Sequence, residues 1–328
     1  MKTIVTASLA FLCSLVVVRG ADLPFQVTIR VVNDQKQPVP GADVEVTYEN
    51  MKVVEGAEHF VTLRGRSDEM GLVTLRGEMF LGRIAFGTSK EGYYQTTGLL
   101  FHFPTGSGGH WEPWNPTIDV VLKPIRSPVP MYAKKVELKI PEFDRPIGYD
   151  LMMGDWVAPY GAGERADFIF EASRSVRSDR DYEGGLTLRF SQSADGFVAA
   201  DTPQEDGSRL RLPYEAPADG YVAQKVWREQ RRPVSDGRDV VHSDSSRTMN
   251  YFFRVRSIVD AEGRVVSALY GKIYGDIRYF IGTKVPRSGL AFTYYLNPDG
   301  TRNVEFDPQR NLFQPTKPDD SAFWNLGP

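Results

Sequence analysis

The chain has 328 residues, 41% of them hydrophobic and 25% charged, which suits one or two globular domains and excludes wholesale disorder. Its 39 lysines and arginines nearly balance 42 aspartates and glutamates, so no one-signed field marks it for nucleic acid or an anionic membrane. The single cysteine excludes an internal disulfide, and 12% aromatics with 30 glycines and 22 prolines point to a turn-rich, β-rich chain.

Residues 1–20 have the layout of a secretory signal peptide. Lys2 supplies the positive end, Ile4 to Val18 is mostly apolar, and Val18 and Gly20 precede a cut before Ala21. The apolar run falls short of the roughly 20 residues that span a bilayer, so the mature chain is expected to keep no membrane span. Cleavage removes Lys2, Arg19 and Cys13 and moves the formal charge from −3 to −5. A secreted animal protein of this size usually carries disulfides. Their absence, with no glycosylation sequon (Asn115 is followed by Pro116), predicts a bacterial periplasmic or secreted protein.

Residues 21–126 read as short strands and turns. Phe25, Val27, Ile29 and Val31 alternate with more polar neighbours, as do Val44, Val46 and Tyr48 after the Pro38–Gly41 turn. Asp68 to Gly71 predicts a further hairpin turn, and strands follow at Leu72–Leu75, Arg83–Phe86 and Ile118–Leu122. Strands this short, punctuated by Gly and Pro, predict a β-sandwich.

Asp34, then Pro38-Val39-Pro40-Gly41-Ala42-Asp43-Val44, Asp68-Glu69-Met70-Gly71-Leu72-Val73 and Lys90-Glu91-Gly92-Tyr93 follow one another in an order that resembles the carboxypeptidase regulatory-like domain, a small transthyretin-like sandwich. Residues 51–65 lengthen the middle of the domain relative to that pattern. The resemblance implies the fold and an accessory role. It does not carry over peptidase activity, because none of His59, His102, His110 or His242 has Glu three residues later.

The loop from Phe101 to Pro116 gathers the candidate ligand-binding residues His102, His110, Trp111, Glu112 and Trp114 behind a glycine-rich stretch. Rings beside polar groups suit sugar or peptide recognition, since a ring face covers apolar C–H patches while its neighbours bond hydroxyls. The competing reading buries both tryptophans against the second domain, as large aromatics dominate packing interfaces. The spacing of His102, His110 and Glu112 is not diagnostic of a metal site, and no motif calls for a cofactor.

Residues 127–130 form a proline-rich, semi-rigid linker. Residues 131–307 predict a second, larger β-sandwich of jelly-roll or lectin-like size, making the chain all-β. Alternation is plain at Val136–Ile140, Phe168–Phe170, Leu186–Phe190, Tyr251–Val255, Ser267–Phe280 and Phe292–Leu296. Only Tyr221–Arg231 and Leu151–Met153 have a pattern compatible with short helix. Gly271 and Gly275 are expected to make room for rings on the neighbouring strand. The proline-rich tail, 308–328, either docks its aromatics on the body or stays disordered.

Gly161-Ala162-Gly163-Glu164-Arg165-Ala166 fits a dinucleotide fingerprint but lacks the flanking strand and helix that the chemistry needs. Asp150 with Asp155, and Glu305 with Asp307, are the carboxylate pairs that invite a glycosidase reading, although acids beside turns usually bond turn amides. Arg228, Arg231, Arg232, Arg238 and Arg247 suggest a sulfated or acidic polysaccharide, against a solvated, mobile loop whose interleaved acids cancel the field. The expectation is an exported, non-catalytic binding or assembly protein, carbohydrate or an envelope protein being its partner. A carbohydrate-active enzyme and a structural subunit are the alternatives.

Overall fold

The computed structural model describes residues 22–50, 59–201, 207–246, 248–282, 288–314 and 320–328. The expected signal peptide lies outside them. The described chain is all-β apart from one 3-10 turn at Ser321–Phe323, and it builds a smaller sandwich followed by a larger one.

The first sandwich uses β1 (Leu23–Asn33), β2 (Asp43–Glu49), β3 (Phe60–Arg66), β4 (Leu72–Met79), β5 (Arg83–Ser89), β6 (Tyr93–Tyr94), β7 (Thr96–His102), β8 (Thr105–Ser107), β9 (His110–Glu112) and β10 (Thr117–Pro124). One sheet runs β4-β1-β10-β6 with β1 and β10 parallel, the other β3-β2-β5-β7, and β8-β9 is a separate hairpin. The period-2 apolar residues meet between the sheets: Phe25, Val27 and Ile29 from one, Val44, Val46 and Ile84 from the other, all essentially inaccessible. The turn after β3 forms because Asp68 Oδ1 accepts from the amides of Met70 and Leu72 at 2.9 Å each. Gly71 takes φ +74° there, and a Cβ would lie 2.4 Å from Val31 O, so only glycine fits. In the lengthened middle, β3 pairs in full register with β2, while residues 51–58 lie outside the described ones.

The second sandwich uses β11 (Val129–Lys139), β12 (Pro146–Asp150), β13 (Asp155–Trp156), β14 (Phe168–Ser178), β15 (Asp181–Phe190), β16 (Gly196–Asp201), β17 (Gln224–Pro233), β18 (Asp239–Ser243), β19 (Met249–Val259), β20 (Val265–Phe280), β21 (Gly289–Asn297) and β22 (Phe306–Asn311). Its sheets are β16-β19-β20-β21-β11-β22 and β13-β12-β14-β15-β17-β18. Between them lies a ring-rich core including Tyr149, Phe168, Phe170, Trp227, Phe253 and Phe292. The first of these sheets is covered on its other face too, where Phe252, Tyr270, Tyr295 and Phe306 pack with Leu212 and Leu326.

Several expectations need correction. Tyr221–Arg231 is not a helix: β17 starts at Gln224, because Trp227 lies opposite Leu186 in the core and its neighbours alternate outward. Leu151–Met153 is a turn whose amides Asp150 organises. The arginine-rich stretch is an ordered β17-β18 hairpin rather than a loop, with Arg231 on Asp239 and Arg232 on Glu183, while Arg247 lies outside the described residues. Gly271 does make room for a ring, since a Cβ would sit 2.2 Å from Phe253 Cζ. Gly275 does not: it has open space and φ +77° at a bulge. Between Tyr274 and Arg278, β20 spends two more residues than β21, so Ile273, Ile277 and Tyr279 all still reach the core. β11 takes in Val129 and Pro130 of the expected linker, and β22 runs on to Asn311 within the expected tail. The described residues of the tail beyond it dock: Phe313 lies 5.2 Å from Tyr132 and 6.1 Å from Phe323, and Leu326 is buried.

The two sandwiches are joined by more than the linker. The Thr97 amide donates to Gly207 O at 2.9 Å and the Arg209 amide to Gln95 O at 3.0 Å. Buried Glu305 of the second sandwich accepts from Tyr94 Oη at 2.8 Å and from the Arg126 and Ser127 amides at 2.8 and 2.7 Å. The Arg126 guanidinium lies over the Tyr214 ring, 3.9 Å from its centroid, and donates to Asp34.

Candidate functional site

The aromatic loop is split by its own packing. Trp111 turns into the first sandwich: its Nε1 donates to Met79 O at 3.0 Å, and its ring fills the space beside Gly82 and Gly106. Trp114 is 46% exposed, with His110 edge-on at 5.0 Å. The expected burial of both tryptophans against the second sandwich is therefore corrected: one serves its own sandwich and the other faces solvent. His110 Nε2 bonds Glu112 Oε1 at 2.7 Å. The Trp114 amide, then His110, hold the Glu112 carboxyl below its ordinary range. His102 ends β7, opposite Arg83 of β5, exposed. Among the described residues no group of three or more His, Cys, Asp or Glu is placed to hold a metal ion.

The carboxylates that invite a glycosidase reading are engaged in structure. Asp150 is buried and accepts from the amides of Met152, Met153, Glu164 and Arg165 at 2.9 to 3.1 Å, with Arg256 at 3.2 Å. Burial pushes its pKa up, but these amides outweigh it and hold the carboxyl below the ordinary value. The Gly161–Ala166 fingerprint thus cradles the protein's own carboxylate with its amides, not a pyrophosphate. Asp155 accepts from the Ala162 amide at 2.9 Å in the same loop. Glu305 holds the domain junction, and Asp307 pairs with Arg310 at 2.6 Å.

A different place has the shape of a ligand seat. The outward face of β14-β15-β17-β18 forms an open groove of about 420 Å³. In register across it stand Ser173, Gly185 and Arg228. The next row holds Glu183, Gln230 and His242, and Thr187 with Val226 closes the other side. Gly185 gives the groove its depth: a Cβ there would meet only Ser173 Oγ at 3.5 Å and Trp227 O at 3.7 Å, so the missing side chain leaves a shallow floor rather than a tight contact.

The strand beneath Arg228 is pinned from inside. Trp227 Nε1 and Tyr251 Oη both donate to Asp276 Oδ1 at 2.8 Å, the Ser246 amide donates to Oδ2 at 2.8 Å, and Lys225 Nζ donates to Tyr251 Oη at 2.7 Å. Burial, then the Asp276 charge and hydrogen bond, push the Tyr251 hydroxyl well above its ordinary value.

Within the groove, Glu183 accepts from Arg232 at 2.8 Å and Gln230 at 3.1 Å, and these hold it below the ordinary carboxylate range. Glu171 pairs with Arg189 at 2.8 Å, and His242 bonds Asp244 at 2.9 Å. Glu229 is pushed up by burial, against a hydrogen bond from Ser243. Sequence reasoning singled out Arg228 but missed its companions. Those companions come from β14, β15 and β18 as well as β17, and β17 itself carries polar side chains on both faces, so no local pattern announced them.

No family model matches the chain, and no curated protein matches it. Solved structures with some likeness include 3-chlorocatechol 1,2-dioxygenase from Rhodococcus opacus 1CP, at 12% identity and TM-score 0.25 over 32% of this chain and 62% of that one. Hydroxyquinol 1,2-dioxygenase from Pseudomonas putida DLL-E4 gives 12%, 0.24, 32% and 57% in the same terms. Wild-type catechol 1,2-dioxygenase from Acinetobacter radioresistens gives 14%, 0.25, 32% and 53%. The chain spans less than two thirds of the length of each. Likeness this distant carries no argument about chemistry.

Proposed function

We propose that the protein is an exported, non-catalytic binding protein of the bacterial envelope, whose larger sandwich holds a hydroxyl-rich polymer, a polysaccharide, in the groove on β14-β15-β17-β18. The observation that carries this reading is the groove itself: an open strip with a glycine floor, edged by side chains that both donate and accept hydrogen bonds. Openness suits a chain that enters and leaves along the sheet. The first sandwich, by its resemblance to regulatory-like domains, takes the accessory role, and the apolar run of residues 4–18 supports export.

The rival reading, a carbohydrate-active enzyme, draws less support, because the acids it needs at Asp150, Asp155 and Glu305 are tied to backbone amides. A structural subunit of a larger assembly is the third reading, with the solvent-facing Trp114 beside His110 as its contact.

A glycan array and an envelope-protein pull-down with the wild type and Gly185→Val test the proposal. Valine on the floor obstructs the groove with only ordinary contacts beneath it. Retention of a glycan by the wild type and its loss in the variant is the expected result. No retained glycan, or equal retention by both, refutes the groove. Turnover of any glycan in the panel establishes the enzyme reading instead.

A further inference from the structure

We propose that the groove selects a sugar chain bearing anionic groups, and that the Arg228 guanidinium reads the anion. This rests on the groove being the ligand seat and names the class of ligand it takes. The argument is one of unspent charge. Every other charged side chain lining the groove has a partner of its own: Glu171 has Arg189, Glu183 has Arg232 and Gln230, His242 has Asp244, and Glu229 has Ser243. Arg228 is exposed, and only its backbone is engaged, the amide donating to Asp244 Oδ2 at 2.9 Å. Among the described residues its guanidinium has no hydrogen-bond, ion-pair or ring partner.

Its position matters as much as its charge. Arg228 lies directly across from Gly185, so no side chain on the neighbouring strand screens it from a chain lying on the floor. Ser173 lies one strand further on, a hydroxyl able to donate to the same group or to a sugar oxygen. A guanidinium offers parallel N–H donors in a fixed fork that matches the oxygens of a carboxylate or a sulfate, and charge-assisted bonds of this type are roughly twice as strong as neutral ones. Of the neighbouring acids, Glu171 and Glu183 each already face a guanidinium, and Glu229, bonded by the neutral Ser243 hydroxyl, shares the inward-facing set of β17 with Lys225 and Trp227 rather than the outward set of Arg228. Asp244, on the adjoining strand end, is spent on the Arg228 amide and on His242.

Calorimetric titration of the full mature chain with polygalacturonate, dextran sulfate and neutral dextran tests this, at low salt and at about 0.5 M salt, where screening is strong. Expected is binding of one or both anionic chains at least about ten-fold tighter than dextran, weakened by salt. The two anionic chains separate carboxylate from sulfate as the source. Arg228→Gln should lose about ten-fold in affinity for the preferred chain while leaving weak dextran binding unchanged, and Arg228→Lys should fall between, keeping the charge without the fork. Circular dichroism confirms that each variant folds. Dextran binding as tight as the anionic chains, or an Arg228→Gln variant that binds the preferred chain as the wild type does, overturns the inference and leaves the groove reading standing. Loss in Gly185→Val without loss in Arg228→Gln likewise removes the arginine and keeps the groove. Failure of all three chains to bind overturns both.

Discussion

Replacing Glu305 with alanine removes one carboxylate that serves both sandwiches. The side chain is 1% exposed and accepts three hydrogen bonds, from Tyr94 Oη, the Arg126 amide and the Ser127 amide, at 2.7 to 2.8 Å. A buried donor stripped of its acceptor costs about 1–3 kcal/mol. The Tyr94 bond is fully buried, whereas the two amides are partly buried and regain some water. The expected destabilisation is therefore about 3–5 kcal/mol. Asp307, two residues on, is the internal control: its Arg310 partner is 53% exposed, so Asp307→Ala should cost under about 1 kcal/mol. Urea unfolding followed by tryptophan fluorescence measures both, and limited proteolysis between Pro124 and Val129 reports loosening of the junction. A Glu305→Ala variant within about 1 kcal/mol of the wild type, or no more damaged than Asp307→Ala, would refute the view that this carboxylate welds the two bodies.

The tryptophans of the aromatic loop should separate in the same assay. Trp111→Ala forfeits the bond to Met79 O and the ring beside Gly82, for about 3–5 kcal/mol. Trp114→Ala, at an exposed position, should cost under about 0.5 kcal/mol, and equal effects would contradict the packing. Lys272 supplies a pH test. It is fully buried beside the rings of Tyr274 and Tyr295, with its Nζ 3.0 Å from Tyr274 Oη, and burial holds its amine well below the ordinary lysine value, against the pull of Glu305. The unfolded chain binds a proton there that the folded one refuses, so this residue makes stability rise with pH until the unfolded pKa of about 10.4 is passed. Lys272→Met should gain on the order of 1–3 kcal/mol at pH 7, with the gain over wild type shrinking as pH climbs toward that value. A gain that does not change with pH would show that the amine is charged in the fold.

The strands that alternate cleanly were legible without coordinates. Phe25 to Val31 and Leu186 to Phe190 each put apolar side chains on one face, and a strand with such a face must bury it whatever its neighbours are. The turn at Asp68–Gly71 was legible for a local reason: a short acid side chain bonds the amides two and four residues on. The candidate site was legible only in Arg228. On β17 the inward positions hold Lys225, Trp227 and Glu229, so polar side chains fall on both faces and no apolar stripe announces a strand.

What the sequence by itself determined is the class of the protein: two β-bodies without disulfides, because side-chain periodicity and turn chemistry act over a few residues. Only the tertiary structure decided which polar groups are spent and which are free. Asp150 takes two amides from its own turn, but the Glu164 and Arg165 amides that complete its shell, and the Arg126 and Ser127 amides on Glu305, come from 14 to 179 residues away. Arg228 sits among arginines of the same composition, and it alone lines the groove without a carboxylate partner among the described residues. Hydrogen bonds and ion pairs reach only a few ångströms, so their pairing depends on strand register and sheet order, which no local pattern encodes.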